Sequence, residues 1–218
     1  MIYYYYYLLS IYYIVLGPIQ SSELGRTLTH EHFFMEFDTF YLPAPAHLQG
    51  YLNTKKIDLE NVGFLKQYPY ASRFNLNLTD SESMKSVLED VLLYKKWGGG
   101  TIVENSSHGL NRNLKFLYEI SKQTDVHVVS GTGHYVQDVQ AEDALNLSVE
   151  QMTELYTNDM VEGNKVKVDD KEVVIKCGFI GEVGSVWPIT GEYRILSYSM
   201  KHKFHTWNKL VYEYLQFE

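Results

Sequence analysis

Two imidazoles and one carboxylate carry the clearest chemistry in this chain of 218 residues: His30, His32 and Glu182. His30-Glu31-His32 falls in a run, RTLTHEH, that reads as a short strand. Side chains alternate along a strand, so His30 and His32 share one face and Glu31 points to the other. Their Cα atoms then lie about 6.6 Å apart, within reach of a single cation for two neutral imidazoles. A His-x-His pair also arises by chance, so a third ligand decides its meaning. Glu182 follows the apolar run VVIKCGFIG and is predicted to close a strand over residues 174–182. A carboxylate there is costly to bury unless it meets a cation, or else it is solvated and caps the next loop. Taken together, the three make a His2Glu set, one of the ligand groupings of catalytic zinc.

Other polar groups are weaker candidates. His134 and Tyr135 follow Gly131-Thr132-Gly133 and could line a substrate pocket or belong to a plain loop. Glu104 also ends a predicted strand, where a capping or loop role competes with a functional one. His127 lies within a strand and reads as packed. His202 and His205, in the basic stretch KHKFH, lack a nearby carboxylate and read as solvated surface; His47 and His108 carry no pattern. Cys177, the single cysteine, excludes an internal disulfide and reads as a small buried hydrophobe with an inert thiol. Neither a Gly-x-Ser-x-Gly elbow nor a Ser-His-Asp order supports a serine nucleophile.

The elements that must position these groups are legible from punctuation and periodicity. After the strand at residues 26–32 comes a loop-rich stretch to residue 80. A helix is predicted over residues 83–97, with Met84, Val87, Leu88, Val91 and Leu92 in one apolar stripe and Gly98-Gly99-Gly100 ending it. A strand at 101–104 follows, then a helix at 113–123 with Leu114, Leu117 and Ile120 inward, and a strand at 126–130. A third helix starts at Ser148, where Ser-x-x-Gln through Gln151 forms a capping box. A small hairpin turning at Asp169-Asp170 precedes the strand that ends in Glu182. Such alternation of strand and helix predicts an α/β fold with a parallel sheet. Both a doubly wound sheet and a (β/α)8 barrel fit that order. No Gly-x-Gly-x-x-Gly opens a helix, which weighs against a dinucleotide fold. Only about four strands are visible, whereas a full barrel usually takes roughly 250 residues.

Composition sets the outer bounds. Apolar residues make up 45% and charged residues 21%, an ordinary globular mix that can bury a core. Lys and Arg number 19 against 27 Asp and Glu, a net charge of −8. Nucleic acid is excluded as a partner on that balance, because phosphate neutralisation needs clustered basic residues. Residues 1–16, MIYYYYYLLSIYYIVL, contain seven tyrosines. They are too short for a membrane span and lack the basic start of a signal peptide, so a cytoplasmic chain is expected, with a shallow membrane anchor as the lesser alternative. This segment is expected to lie outside the domain, which is placed at residues 17–196 with a divergent tail at 197–218.

The run GRTLTHEH at residues 25–32 resembles the first signature of the phosphotriesterase family, within the amidohydrolase superfamily. LGPI at 16–19, GGGTIVENSS at 98–107, GTGHYV at 131–136 and IKCGFIGEVGSVWP at 175–188 support the likeness. It spans about residues 14–196, in order and with plausible spacing. The resemblance implies a (β/α)8 TIM barrel of the metal-dependent hydrolase type, of which this chain covers about the N-terminal half. It further implies a divalent metal centre at the strand C-termini, two zinc ions in the complete fold, with His30 and His32 as the strand-1 pair and Glu182 in the bridging position. The family chemistry is attack on a small-molecule ester or amide by metal-activated hydroxide. For the animal branch an N-acetyltaurine-like amide is favoured over a phosphotriester. Phe33 and Asn113 depart from the family pattern. Two further His ligands and an Asp that the family carries beyond the Glu strand have no match here, since the likeness fades after about residue 196. Two expectations follow: a hydrolase of that family, or a catalytically inactive truncated remnant or interaction fragment. Open barrel edges would favour self-association in either case.

Overall fold

The computed structural model describes residues 11–52 and 56–184. The tail expected at 197–218, with His202 and His205, lies outside these residues, as does most of the tyrosine-rich start. The described chain opens with an antiparallel hairpin, β1 (Ile11–Ile14) and β2 (Gly17–Gln20), turning through Val15 and Leu16 into Gly17 at φ +125°. Ile14 and Val15 are buried, and the Val15 N–H donates to Val128 O at 2.8 Å. The boundary expected at residue 16 therefore cuts through a hairpin whose Val15 belongs to the main core. Apolar content misled here: the Ile-Val end of the segment is core, whatever the tyrosines before it do.

Among the described residues four strands make the parallel sheet: β3 (Arg26–Glu31), β4 (Gly99–Glu104), β5 (His127–Thr132) and β8 (Phe179–Ile180). Their order is β3-β4-β5-β8, each pair parallel, which bears out the alternation read from the sequence. The register of β3 against β4 shifts between Leu28 and Glu31, so the ligand-bearing end of β3 is irregular.

Three helices connect β3 to β4: α1 (Ala46–Leu52), α2 (Val62–Gln67) and α3 (Ser81–Lys96). The first two sit in the stretch expected to be loop, and Ala44, Leu52, Leu65 and Ala71 give them a small core of their own. Helix α3 starts two residues before the predicted position because the Asp80 carboxylate accepts from the N–H groups of Glu82 and Ser83. Val91 is buried and Met84, Val87 and Leu88 pack on the core, but Leu92 is 46% exposed, having drifted off the stripe. Gly98 alone ends the helix, at φ +83°; Gly99 and Gly100 are already strand. A Cβ on Gly100 would sit 2.4 Å from Leu24 O, so glycine is what allows β4 to approach β3.

Beyond β4, α4 (Leu114–Thr124) is capped by Asn113 and buries Leu114, Leu117 and Ile120, as its period predicts. After β5 come α5 (Glu142–Leu145) and α6 (Val149–Val161), the latter with both bonds of the Ser148–Gln151 capping box formed. The hairpin is present as β6 (Asn164–Val168) and β7 (Lys171–Ile175), with Asp169 and Asp170 at φ +47° and +62°. Its second arm corrects the strand expected over 174–182. Val174 and Ile175 belong to the hairpin, the Cys177 N–H turns to Asp159 O, and the sheet receives only Phe179 and Ile180. One largely apolar run, interrupted at Lys176, thus serves two pairings, which period counting cannot separate. The main core lies between sheet and helices, around Ile102, Val126, Val128, Phe116, Leu117, Ile120 and Val91. Among the described residues no helix is long and apolar enough to cross a membrane.

Candidate metal centre

His30, His32 and Glu182 come from opposite edges of the sheet and meet at its C-terminal end. His30 is near the end of β3, His32 is one residue past it, and Glu182 is two residues past β8. His30 Nε2 and His32 Nε2 are 3.3 Å apart, and Glu182 Oε2 lies 3.7 Å from the first and 3.3 Å from the second. The convergence expected from the sequence is present, although Glu182 reaches it from a loop rather than as the last residue of a strand.

The loop after β4 ties the two edges together. The Asn105 N–H donates to Glu31 O at 2.8 Å, and the Asn105 side-chain amide donates to Val103 O at 3.0 Å. On the other side, the Glu182 N–H donates to Asn105 O at 3.3 Å and the Ser107 hydroxyl to Glu182 O at 2.7 Å. The Gly181 N–H reaches Thr132 O at 2.7 Å, anchoring the Glu182 segment to β5. Gly131 makes room for that segment, since a Cβ there would lie 2.2 Å from Gly181 O.

The residues fit a divalent cation. Two imidazoles and a carboxylate are the borderline donors that zinc takes, and their ligand atoms all lie within 4.8 Å of one another. Ligands about 2.0–2.1 Å from a tetrahedral ion are about 3.3 Å from each other, which is the spacing of two of the three pairs here, the third being 3.7 Å. Burial, aided by the neighbouring His30, lowers the His32 pKa to about 4, so the ring is neutral at pH 7 and has a lone pair to offer. Among the described residues this is the group of three such donors that the fold brings together.

Glu104 is the residue whose importance the sequence left undecided. It is fully buried at the end of β4, where its Oε1 accepts from the Phe33 N–H at 3.1 Å and from the Ser106 hydroxyl at 2.6 Å. Ser106 Oγ is in turn 3.1 Å from His32 Nδ1. Burial is the main reason its pKa rises to about 7, against the lowering effect of those hydrogen bonds. A strand-terminal acid after an apolar run was the available signal, the same one that singled out Glu182.

The two pocket candidates part company. Tyr135 is half-buried against Phe37 and Phe40, and burial together with the Glu182 charge raises its phenol pKa. His134 is only 3% exposed; its Nδ1 is 2.6 Å from the Tyr156 hydroxyl and its ring stacks on His108. Of the pair, Tyr135 is the one that feels the Glu182 charge. His108 bonds Asp159 Oδ2 at 3.0 Å, and Thr132 Oγ1 donates to the same oxygen at 2.5 Å. These bonds, with the Arg112 charge, outweigh burial and hold Asp159 down at about 2. Cys177 is buried beside Arg112, and burial raises its thiol pKa, in keeping with an inert thiol.

A sequence model of the phosphotriesterase family matches residues 12–206. Curated phosphotriesterase-related proteins from Aedes aegypti and Drosophila melanogaster are 53% and 49% identical to this chain, over 81% and 80% of it. The chain spans about half of their length, 50% and 49%. Among solved structures, a resiniferatoxin-binding protein from Rhodobacter sphaeroides superposes with a TM-score of 0.75 at 28% identity, over 86% of this chain and 50% of that one. A structure from the engineering of organophosphate hydrolysis activity on a weak promiscuous lactonase template aligns at 0.58 and 18% identity, over 87% and 50%, and speaks to the fold alone. The four parallel strands are thus a half-barrel sheet.

Proposed function

The chain belongs to the phosphotriesterase family, and from that premise we propose that it supplies the His30-His32-Glu182 ligands of a zinc-dependent hydrolase acting on small amides or esters. The observation that carries this reading is the convergence of three zinc-type donors, from two separate edges of the sheet, at spacings that suit one ion. A bound divalent metal, two zinc ions in the complete fold, supplies Lewis acidity, activating water and polarising the bond to be cut. The chain's own residues do the rest. His32 offers a neutral nitrogen and Glu182 a negative charge beside it. The raised Tyr135 phenol stays protonated at neutral pH within the field of that charge. An N-acetyltaurine-like amide is favoured over a phosphotriester, as the resemblance to the animal branch of the family implies. Small-molecule substrate and cytoplasmic location complete the proposal.

The test is metal analysis and turnover on one preparation. Zinc-loaded protein is expected to retain about one ion per chain with these three ligands and to hydrolyse an N-acyl aminosulfonate or an aryl ester, both lost in His30→Ala. Failure to retain metal removes the basis of the reading. Metal retention without turnover on amide, ester or phosphotriester favours the second reading, a catalytically inactive fragment. The observation behind that alternative is the small size of the ligand group among the described residues.

A further inference from the structure

His32 is held by more than its place on the chain. We infer that Ser106 and Glu104 are positioning residues that fix which nitrogen of His32 faces the ligand group, an inference that rests on the metal reading above and deepens it.

The direction of each hydrogen bond follows from the donor inventory. Glu104 Oε1 already accepts the Phe33 N–H, so it acts as acceptor toward Ser106 as well. Ser106 has one hydroxyl proton, and at 2.6 Å it is committed to Glu104. Toward His32 the serine oxygen can then only accept. The 3.1 Å contact is therefore His32 Nδ1–H donating to Ser106 Oγ. A neutral imidazole with its proton on Nδ1 has its lone pair on Nε2, the atom 3.3 Å from both His30 Nε2 and Glu182 Oε2. The relay thus turns the basic nitrogen of His32 toward the cation position and prevents the tautomer that would put an N–H there. Ligating histidines commonly need such an outer partner. Here it is a buried two-residue chain in which both members are 0% exposed, anchored by the backbone of Phe33, the residue directly after the ligand.

The sequence places the relay compactly. Glu104 and Ser106 stand two apart on either side of Asn105, whose backbone ties β3 to the Glu182 segment. One four-residue stretch, 104–107, the end of β4 and the loop after it, therefore sets the position of two ligand segments and the tautomer of one ligand.

Nitrogen NMR on the uniformly labelled full chain, before any metal is added, reads the tautomer directly. His32 is expected as the Nδ1–H form, with Nε2 unprotonated, at pH 7.5. In Ser106→Ala the ring is expected to lose that preference, and zinc affinity to fall about 10- to 100-fold. Glu104→Gln keeps an acceptor oxygen for Ser106 and is expected to retain the wild-type tautomer, whereas Glu104→Ala loses it. His30→Ala is the control for the metal reading itself. If zinc affinity is unchanged in His30→Ala, the metal reading fails, whatever the tautomer. If zinc binding needs His30 but wild-type His32 carries its proton on Nε2, or Ser106→Ala matches wild type in both tautomer and affinity, the positioning role is overturned. Should Ser106→Ala or Glu104→Ala unfold by circular dichroism, the wild-type tautomer and Glu104→Gln still decide.

Discussion

At the scale of single residues, burial without charge is the recurring theme. His32 and His134 are both pushed to a pKa of about 4, chiefly by burial, and each has its Nδ1 against a hydroxyl, of Ser106 and of Tyr156. For His134 this sets a pH dependence of stability. Its folded pKa lies below the unfolded value near 6.5, so the unfolded chain binds the proton first. The neutral ring's contribution is complete above pH 6.5 and is lost as pH falls to about 4, by about 3 kcal/mol. Glu104 runs the other way. Its raised pKa gives a contribution that is present below about 4.5 and lost as pH rises through 7. Comparing wild type with His134→Gln in urea at constant m-value separates the two. The variant is expected to lose less stability than wild type between pH 6.5 and 4.5, and identical slopes would contradict the assignment.

At the scale of elements, the site depends on how closely β5 lets the Glu182 segment approach. Gly131 pairs with Phe179, and any side chain there would strike Gly181 O at 2.2 Å. Gly131→Ala is therefore expected to displace Glu182 from the two histidines while leaving β3, β4 and their core in place. Zinc affinity should fall by at least tenfold, with the far-UV circular dichroism spectrum retained; wild-type affinity in that variant would show that Glu182 is not held by this contact. The elements read most accurately from the sequence are those whose signal is local. The Ser148–Gln151 box, the Asp169-Asp170 turn and the α4 stripe are each set by neighbours within a few residues. The strand before Glu182 was misread because its pairing partners, β6 for Val174 and β5 for Phe179, are distant choices that an apolar run does not encode.

At the scale of the whole molecule, the half-barrel sheet ends in two strands, β3 and β8, with no second partner among the described residues. Every residue of β3 is exposed, and a groove of about 970 Å³ runs beside it, floored by Leu28, Val87, Val91 and Ile102. Unpaired strand edges with apolar neighbours associate. We therefore propose self-association of this chain through that edge, checked by sedimentation velocity. Average mass is expected to rise with concentration, and Thr27→Lys, which places a charge on the edge, is expected to reduce it. A monomer at all concentrations would rule the edge out as an interface.

The sequence by itself determined the α/β alternation, the family likeness and the three ligand candidates, because strand period, helix stripe and residue type are properties of short segments. Only the tertiary structure decided that Val15 is core, that Glu182 arrives on a loop, and that Glu104 lies behind His32 through Ser106. Those outcomes depend on contacts between residues 71 to 152 positions apart, such as Phe33 with Glu104 and His30 with Glu182. Their energies arise only once the sheet has brought its edges together.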